Sequence, residues 1–338
     1  MGIGLDIGTK TIKVAEVKDE GGKMTLVGAG VIGYNGPDVS HIQDDKQLGE
    51  LAVIIKKLFS SAKISSKDVA ISLPESQVFT RPVVYPLLTD QEIASAIKWE
   101  AEQYIPIPIA EAIVQHTVVE RRENTTPPGV LVLLVASPRV LVEKYIKLAT
   151  MAGLNCIAVE TELISLTRAL APANQTAMIL DFGSSSTDIA ITKGGQLVFS
   201  RSIPTAGETL TRAVAQALGT SVTQAEEYKR TYGFDTAKLE GKVAASLGAI
   251  FRIITEEIKK SVSYYQSEEK GEAPSSIILS GGSAGLPDVV STLAKSTGIE
   301  VIIGNPFSKI VVDADSLKSL TPFAPLYPIA FGLAERVD

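Results

Sequence analysis

The sequence contains little of what several classes of protein require. It has one cysteine, Cys156, one tryptophan and two histidines among 338 residues. A single cysteine forms no internal disulfide, and its apolar surroundings (LNCIAV) indicate a buried thiol in a reducing compartment. His41 lies in a polar loop and His116 in a strand with no second ligand nearby, so we predict no metal site built on histidine or cysteine.

Features of nucleic-acid-binding and membrane-inserted proteins are also missing. The formal net charge is −6, whereas an electrostatic grip on nucleic acid needs a basic face. The strongest apolar run, VLVLLVA at 130–136, is about a third of the ~20 residues of a spanning helix. The first residues show no signal peptide, and Asp6 stands where myristoylation needs a hydroxyl. We expect a cytoplasmic protein without nucleic-acid binding or direct membrane insertion.

Two common nucleotide-binding motifs are absent as well. No G-x-x-x-x-G-K-[ST] loop occurs, and GIGLDI has Ile7 where a dinucleotide fingerprint has its third glycine.

Strands that alternate with helices predict an α/β fold. Thr89 followed by Glu92 predicts a capping box at one helix start. The predicted strands are 2–8, 11–18, 23–33, 68–74, 77–86, 113–122, 130–136, 154–159, 177–183, 186–193, 196–204 and 276–282. The predicted helices are 45–59, 89–105, 138–152, 206–218, 221–232, 241–268, 286–297 and 327–337.

An internal repeat is the most specific feature of the chain. LDIGTKTIKVA (5–15) and LDFGSSSTDIA (180–190) match position by position at an offset of 175 residues, from 181 − 6. A repeat at this spacing indicates a duplicated domain. Each copy has strand, Asp, Gly, hydroxyl residues and strand, which predicts a hairpin tip whose backbone N–H groups bind phosphate. An ordinary hairpin would also use Asp and Ser in its turn, but two matched copies favour phosphate binding.

The two hairpins resemble the phosphate motifs of the actin-like ATPase superfamily, which includes actin, Hsp70, sugar kinases and FtsA. ILSGGSAGLPDVV (278–290) resembles its adenosine motif, and AEEYKRTYG (225–233) resembles the FtsA-type helix that contacts ribose. IPTAGETLT (203–211) resembles its strand-to-helix connection, with one glycine where relatives usually have two. The resemblance implies ATP and Mg²⁺ as cofactors, with Asp6 and Asp181 on the metal through water. The implied nucleotide-binding residues are Asp6, Gly8, Thr9, Lys10, Thr11, Lys13, Asp181, Gly183, Ser184, Ser185, Ser186, Gly207, Glu208, Glu226, Lys229, Gly281, Gly282, Ser283 and Leu286.

A narrower resemblance concerns AIKWEAEQYIPIPIAEA (96–112), which is similar to a signature of the PilM family of type IV pilus assembly, although Ile107 replaces its usual Phe. It implies a duplicated, ribonuclease H-like two-lobe fold with an inserted 1C-type α+β subdomain. The expected first lobe is 1–74 plus 154–174 with the helix 323–337. The expected insertion is 75–153, and the expected second lobe is 175–322.

The PilM resemblance implies an ATP-binding scaffold whose partner is the N-terminal cytoplasmic peptide of PilN, an inner-membrane protein. Other platform proteins and the assembly motor are further implied partners, and PilN would hold the protein at the inner membrane. An FtsA-like cell-division protein is an alternative, although FtsA continues through a linker into a membrane-targeting helix, which we do not expect after AERVD here. A small-molecule kinase is the other alternative.

The implied catalytic activity is slow or negligible ATP hydrolysis. VETELISL (159–166) resembles the segment of Hsp70 relatives that positions a water, which would assign this role to Glu160. Alternatively, Glu160 is simply an acidic residue that the dipole at a helix N-terminus favours, and the sequence supports both explanations equally.

The inserted segment offers two alternatives for partner binding. Trp99 is either part of its core or part of a peptide groove. Similarly, the helix end EQYIPIPI either leaves apolar residues uncovered for an extended peptide or packs inside the subdomain.

Overall fold

We describe residues 2–123, 127–268 and 270–336 of a computed structural model. The described residues form two compact units. The first contains residues up to 165 with 196–200 and 329–336, and the second contains 166–195 and 201–328. Our predicted division into two lobes and an insertion at 75–153 uses different boundaries and stays a prediction.

The strands follow the predicted order, with short additional elements near the C-terminus. They are β1 Gly2–Ile7, β2 Thr11–Asp19, β3 Met24–Gly33, β4 Asp68–Leu73, β5 Phe79–Tyr85, β6 Ala112–Arg122, β7 Gly129–Pro138, β8 Asn155–Thr161, β9 Thr176–Phe182, β10 Thr187–Lys193, β11 Gln196–Ile203, β12 Ser276–Ser280, β13 Glu300–Ile303 and β14 Ile310–Val311.

The helices are α1 Asp45–Ser61, α2 Asp90–Tyr104, α3 Arg139–Met151, α4 Glu162–Leu170, α5 Gly207–Leu218, α6 Val222–Tyr232, α7 Lys242–Ser267, α8 Val289–Thr297, α9 Ala314–Leu320 and α10 Pro328–Ala334. The predicted capping box of α2 is confirmed, because Thr89 and Glu92 satisfy each other's backbone N–H groups. The predicted C-terminal helix is shorter than expected. Thr321–Leu326 is a 3-10 helix that contains Pro325, which has no N–H for the α-helical ladder.

The two units repeat one strand arrangement. In the first unit β1 pairs with β2 antiparallel and with β4 parallel, and β4 pairs with β8 parallel. In the second unit β9 pairs with β10 antiparallel and with β12 parallel, and β12 pairs with β13 parallel. The duplication that the sequence repeat predicted therefore extends to the strand order.

Each sheet is covered by helices that bury its apolar side chains. In the first unit α1 and α3 cover Leu5, Val14 and Ile71 as one core. The C-terminal helix α10 approaches β1 so closely that a Cβ on Gly4 would lie 1.9 Å from the carbonyl oxygen of Ala330, so this position requires glycine. In the second unit the α7 residue Phe251 stacks near Phe182 of β9.

A third sheet lies within the first unit, in the segment that we predicted as an insertion. Its strand order is β5-β7-β6, with both pairs antiparallel. Helix α2 buries Ile93 and Ile97 against the Val132 side of β7. The hydrophobic pattern of α2 therefore serves this small core.

The structure corrects two of our alternatives for the inserted segment. Trp99 is 74% exposed, so its assignment to the core is wrong. In the helix end YIPIPI the three isoleucines are covered, because Ile105, Ile107 and Ile109 pack against the Ala136 cluster of β7, whereas the two prolines are exposed. Tyr104 remains half-exposed with the Arg81 guanidinium 3.8 Å above its ring.

Candidate functional site

The first hairpin joins β1 and β2 through a tight turn that contains Gly8, Thr9 and Lys10. The Gly8 N–H donates to the Thr11 carbonyl oxygen at 3.1 Å. Asp6 stands directly opposite Lys13 in the antiparallel pair. The Lys13 ammonium lies 2.9 Å from the Asp6 carboxylate, which is almost completely buried. The hairpin therefore neutralises its own aspartate.

The second hairpin joins β9 and β10 with the same turn geometry. The Gly183 N–H donates to the Ser186 carbonyl oxygen, again at 3.1 Å. Asp181 stands directly opposite Asp188, at the position that corresponds to Lys13 in the repeat. Two carboxylates thus face the same side of this hairpin.

Three separate motifs meet at the second hairpin. The Gly183 carbonyl oxygen accepts hydrogen bonds from the Gly207 N–H at 3.2 Å and from the Ser283 hydroxyl at 3.3 Å. The Glu208 N–H donates to the Ser184 carbonyl oxygen at 2.9 Å. The structure therefore brings the predicted phosphate, connection and adenosine residues of the second unit together.

The glycine turn after β12 is placed by its backbone conformation. Gly281 has φ +89°, a region that favours glycine, and its N–H donates to the Pro325 carbonyl oxygen at 2.8 Å. A Cβ at this position would lie 2.6 Å from the Asp181 carboxylate. Gly282 and Ser283 continue into a short 3-10 helix, after which Leu286 is buried.

Glu226 and Lys229 lie on one face of α6, as their spacing predicted. The buried Lys229 ammonium contacts the Gly207 carbonyl oxygen at 3.0 Å, the Thr211 hydroxyl at 2.8 Å and the Glu226 carboxylate at 2.7 Å. Burial lowers the pKa of Lys229, although the hydrogen bond to Glu226 opposes this shift. The contacts with Gly207 and Thr211 tie α6 to the start of α5, and the ribose contact stays a prediction.

The carboxylate of Glu226 is held in its ionised form. Burial acts to raise its pKa, but hydrogen bonds from Lys229, Thr211 and Arg230 outweigh burial and lower the pKa to about 2. The Glu226–Lys229 pair is therefore a charged pair at neutral pH.

Glu160 lies on β8, two residues before the start of α4. One carboxylate oxygen accepts a hydrogen bond from the Ser165 hydroxyl at 3.2 Å, and the other lies 3.5 Å from the Arg336 guanidinium. Glu160 is register partner of Ser72 on β4. Its role in positioning a water stays a prediction.

Comparison with known proteins places the chain in a family. The sequence profile of "Type IV pilus assembly protein PilM" matches residues 4–337. The chain belongs to the PilM family. A structure described as a PilM-PilN type IV pilus biogenesis complex is similar with a TM-score of 0.83 and 24% identity, covering 98% of this chain and 97% of that chain.

Other relatives support the actin-like architecture of this PilM-family chain. FtsA from Enterococcus hirae is 23% identical over 348 residues, which is 89% of this chain and 77% of FtsA. MreB5 of Spiroplasma citri, in a structure bound to ADP, has a TM-score of 0.53 at 14% identity, with 98% and 94% of the two chains covered. The predicted actin-like fold is therefore confirmed.

Sequence reasoning missed Asp188 in this PilM-family chain. Its side chain is 2% exposed. Burial raises its pKa to about 6, while hydrogen bonds with the Ser202 and Ser186 hydroxyls oppose that rise. The repeat contained the signal, because Asp188 aligns with Lys13, but we treated both simply as charged residues and overlooked the change of sign.

The residues that the structure describes contain neither a membrane-spanning helix nor a metal site of several ligands. None of the helices there is both long and apolar enough to cross a bilayer. The same residues contain no cluster of three or more His, Cys, Asp or Glu side chains arranged to hold a metal.

Proposed function

We propose that the chain is an ATP-binding scaffold of type IV pilus assembly that binds the N-terminal peptide of a PilN-type inner-membrane protein. The protein acts by binding the nucleotide and the peptide, and its ATP turnover is slow or negligible. The protein acts in the cytoplasm and is held at the inner membrane by this partner. Other platform proteins and the assembly motor are candidate further partners.

The observation that carries the nucleotide proposal is the convergence on the Gly183 carbonyl oxygen. Gly207 and Ser283 both donate to it, so the connection and adenosine motifs are built around one hairpin. A Cβ on Gly207 would lie 3.0 Å from the Ser283 hydroxyl and 3.1 Å from the Gly183 carbonyl oxygen, so a larger side chain would displace these contacts. The residues present fit a phosphate chain next to an adenosine.

Distinct parts of the chain would hold each part of the nucleotide. Within each unit, the backbone N–H groups inside the hairpin turn, at 9–10 in the first and at 184–185 in the second, suit phosphate oxygens. Gly281, Gly282, Ser283 and Leu286 would border the adenosine, with Glu226 and Lys229 near the ribose. Bound Mg·ATP would supply a polyanion, and Lys10 is an exposed cation at the first tip.

Slow turnover follows from the surroundings of Glu160. Its two carboxylate oxygens already contact Ser165 and Arg336, so the group is poorly placed to act as a free base. A kinase needs a carboxylate base that faces an acceptor hydroxyl. We therefore favour the scaffold over the kinase, and family membership favours it over an FtsA-like role in cell division.

Support for the PilN-type partner comes from the family and from the exposed surface of the inserted segment. The similar PilM-PilN complex is a structure of a family member with this partner. On the present chain Trp99 is 74% exposed and Tyr104 half-exposed at the α2 end. Apolar side chains of an extended peptide would be covered by such aromatic residues.

Nucleotide binding is tested by thermal unfolding of the nucleotide-free full chain. ATP with Mg²⁺ at about 100 times its Kd should stabilise the protein by roughly 2.7 kcal/mol. Gly207→Val should remove this shift because its side chain enters the Ser283 contact, while Gly248→Ala, which meets no atom within 4 Å, should keep it. The site assignment fails if GTP shifts the melt equally or if Gly207→Val responds like the parent.

Peptide binding has a built-in probe, since Trp99 is the only tryptophan. Titration with a synthetic PilN-type N-terminal peptide should blue-shift its emission, and calorimetry should give one peptide per chain. Trp99→Phe should retain calorimetric binding, Trp99→Ala should weaken it, and Val222→Ala, an exposed control in the second unit, should leave it unchanged. Absence of binding in calorimetry would refute the partner, and rapid ATP consumption stimulated by a small molecule would favour the kinase.

A further inference from the structure

The ammonium group of Lys229 has no N–H left for a ligand. An ammonium has three N–H donors. They face three acceptors within the protein, the Gly207 carbonyl oxygen at 3.0 Å, the Thr211 hydroxyl at 2.8 Å and the Glu226 carboxylate at 2.7 Å. Only 7% of the Lys229 side chain is exposed. Lys229 therefore acts inside the protein and does not also donate to a ribose hydroxyl.

The Glu226 carboxylate is nearly saturated, but its two oxygens differ. Oε2 accepts hydrogen bonds from the Thr211 hydroxyl and the Lys229 ammonium. Oε1 accepts a hydrogen bond from Arg230 Nε at 2.7 Å. A carboxylate has about four lone-pair sites, so these contacts leave one site on Oε1 among the residues that the structure describes. The Glu226 side chain is 34% exposed, which gives a solute access to it.

Thr211 orients the Glu226 carboxylate from the first turn of α5. Its side chain is buried, and its hydroxyl lies within hydrogen-bonding distance of the Gly207 carbonyl oxygen and of Glu226 Oε2. The hydroxyl has one proton, which favours the ionised carboxylate because a charged acceptor binds it more strongly. Lys229 donates to the same hydroxyl oxygen. Oε2 is thus fixed by two groups, whereas Oε1 contacts only the exposed Arg230 side chain.

We propose that the remaining acceptor site on Glu226 Oε1 selects a single hydroxyl of the nucleotide ribose, and that Thr211 and Lys229 are positioning residues for this carboxylate. One acceptor site takes one hydroxyl proton, so Glu226 recognises either the 2′-hydroxyl or the 3′-hydroxyl and not both. This selection rests on the proposed nucleotide binding. It assigns Lys229 a different role from the direct ribose contact that the family resemblance implies.

Calorimetric titration of the nucleotide-free full chain with ATP and its two deoxy analogues tests this selection. At excess Mg²⁺, either 2′-deoxy-ATP or 3′-deoxy-ATP should bind at least about tenfold more weakly than ATP, because it lacks a hydrogen bond to a charged group. The other analogue should bind within about twofold of ATP, since no group that we assign contacts its missing hydroxyl. Glu226→Ala should bind ATP and both analogues equally.

Variants of Thr211 test the positioning role through the ratio of the Kd of the weaker analogue to the Kd of ATP. Thr211→Val keeps the shape of the side chain but removes the hydroxyl, so this ratio should fall towards one. Thr211→Ser keeps the hydroxyl and should retain the ratio of the parent. Thr209→Val is the matched control on the same helix, because the Thr209 hydroxyl accepts a hydrogen bond from Arg212 instead. A purely structural role of Thr211 would lower the melting temperature without changing the ratio.

Several results would overturn this account. Equal weakening of both analogues, or of neither, would contradict the selection by Glu226. The positioning role fails if folded Thr211→Val keeps the ratio of the parent, or if Thr209→Val loses it. Circular dichroism identifies a failure to fold, and if Thr211→Val does not fold, the parent, Glu226→Ala and Thr211→Ser decide the question. Absence of ATP binding would refute the proposed function and this selection together, whereas ATP binding without the expected ratios would refute the selection alone.

Discussion

The two hairpins share a backbone but differ in charge. Both place a glycine N–H 3.1 Å from the carbonyl oxygen three residues later, and both set an aspartate opposite the same later position of the repeat. That position is Lys13 in the first hairpin and Asp188 in the second. The two units therefore share the turn but differ behind it, with a neutral pair in the first and two acidic side chains in the second.

A second difference lies on the neighbouring parallel strand. In the second unit Ser280 is the register partner of Asp181 and is followed by Gly281. In the first unit the register Leu5↔Ile71, continued by one residue, sets Ser72 beside Asp6, and Ser72 is followed by the buried Leu73. The first unit thus has a buried leucine at the position where the second has a glycine packed tightly against Asp181.

The largest expected effect comes from removal of the ammonium in the first hairpin. Lys13→Met leaves the buried Asp6 carboxylate without its partner, which should cost about 3–5 kcal/mol of unfolding free energy. Urea denaturation measures this cost. The double variant Lys13→Met with Asp6→Asn should recover much of the loss because no uncompensated charge remains. A cost below about 1 kcal/mol would show that the pair is not a buried one.

A smaller loss is expected from the glycine that distinguishes the second unit. Gly281→Ala forces φ +89° on a residue with a Cβ and brings that atom to 2.6 Å from Asp181 and Phe182. We expect a loss of about 1–3 kcal/mol in urea denaturation, together with loss of ATP binding. Gly285→Ala is the matched control in the same turn, since its Cβ meets nothing within 4 Å. Equal behaviour of the two variants would contradict the assignment of Gly281.

The difference in charge predicts that removing the charged group at the equivalent position of the second hairpin, Asp188, stabilises the protein. Asp188→Asn removes a buried carboxylate whose Oδ1 has no hydrogen-bond partner in the described residues, so it should raise the unfolding free energy at pH 8, by about 1 kcal/mol. Urea denaturation of the two proteins measures the difference. Destabilisation by Asp188→Asn would mean that a neighbouring group compensates the buried charge of Asp188.

The smallest expected effect concerns Lys229, the buried ammonium of the second unit. Glu226 on the same helix neutralises it, whereas a hairpin aspartate neutralises Lys13 in the first unit. The pKa of Glu226 is lowered from 4.5 to about 2, so its contribution to stability is present above pH 4.5 and is lost as the pH falls towards 2. The stability difference between the parent and Glu226→Gln should therefore be constant above about pH 5.5 and shrink below pH 4.5. A stability difference that is independent of pH would show that the ionised carboxylate of Glu226 does not contribute to stability.

Much of the fold could be predicted because local signals agreed with it. The repeat at 5–15 and 180–190 revealed the duplication, and caps such as Thr89 located helix starts within a residue or two. Helix α8 begins three residues later than predicted because Asp288 adopts φ +56° after a 3-10 turn. The four-residue strand β13 was missed, since it is too short to show a period.

The candidate site was predicted less completely, since its chemistry depends on tertiary contacts. The motif residues Gly183, Gly207 and Ser283 could be chosen from the sequence, and the structure brings them together. The pairing of Lys13 with Asp6 depends on strand register. Exposure of Trp99 depends on which face of α2 packs on β7, and the α2 sequence is compatible with either choice.

Calorimetric titration of ATP into the nucleotide-free chain, at fixed excess Mg²⁺, tests the central claim most directly. The account predicts one ATP bound per chain, much weaker binding of GTP, and turnover far below about 10 s⁻¹ in the same solution. No measurable binding of ATP, or rapid hydrolysis during the titration, would contradict a scaffold that works through its nucleotide-bound state.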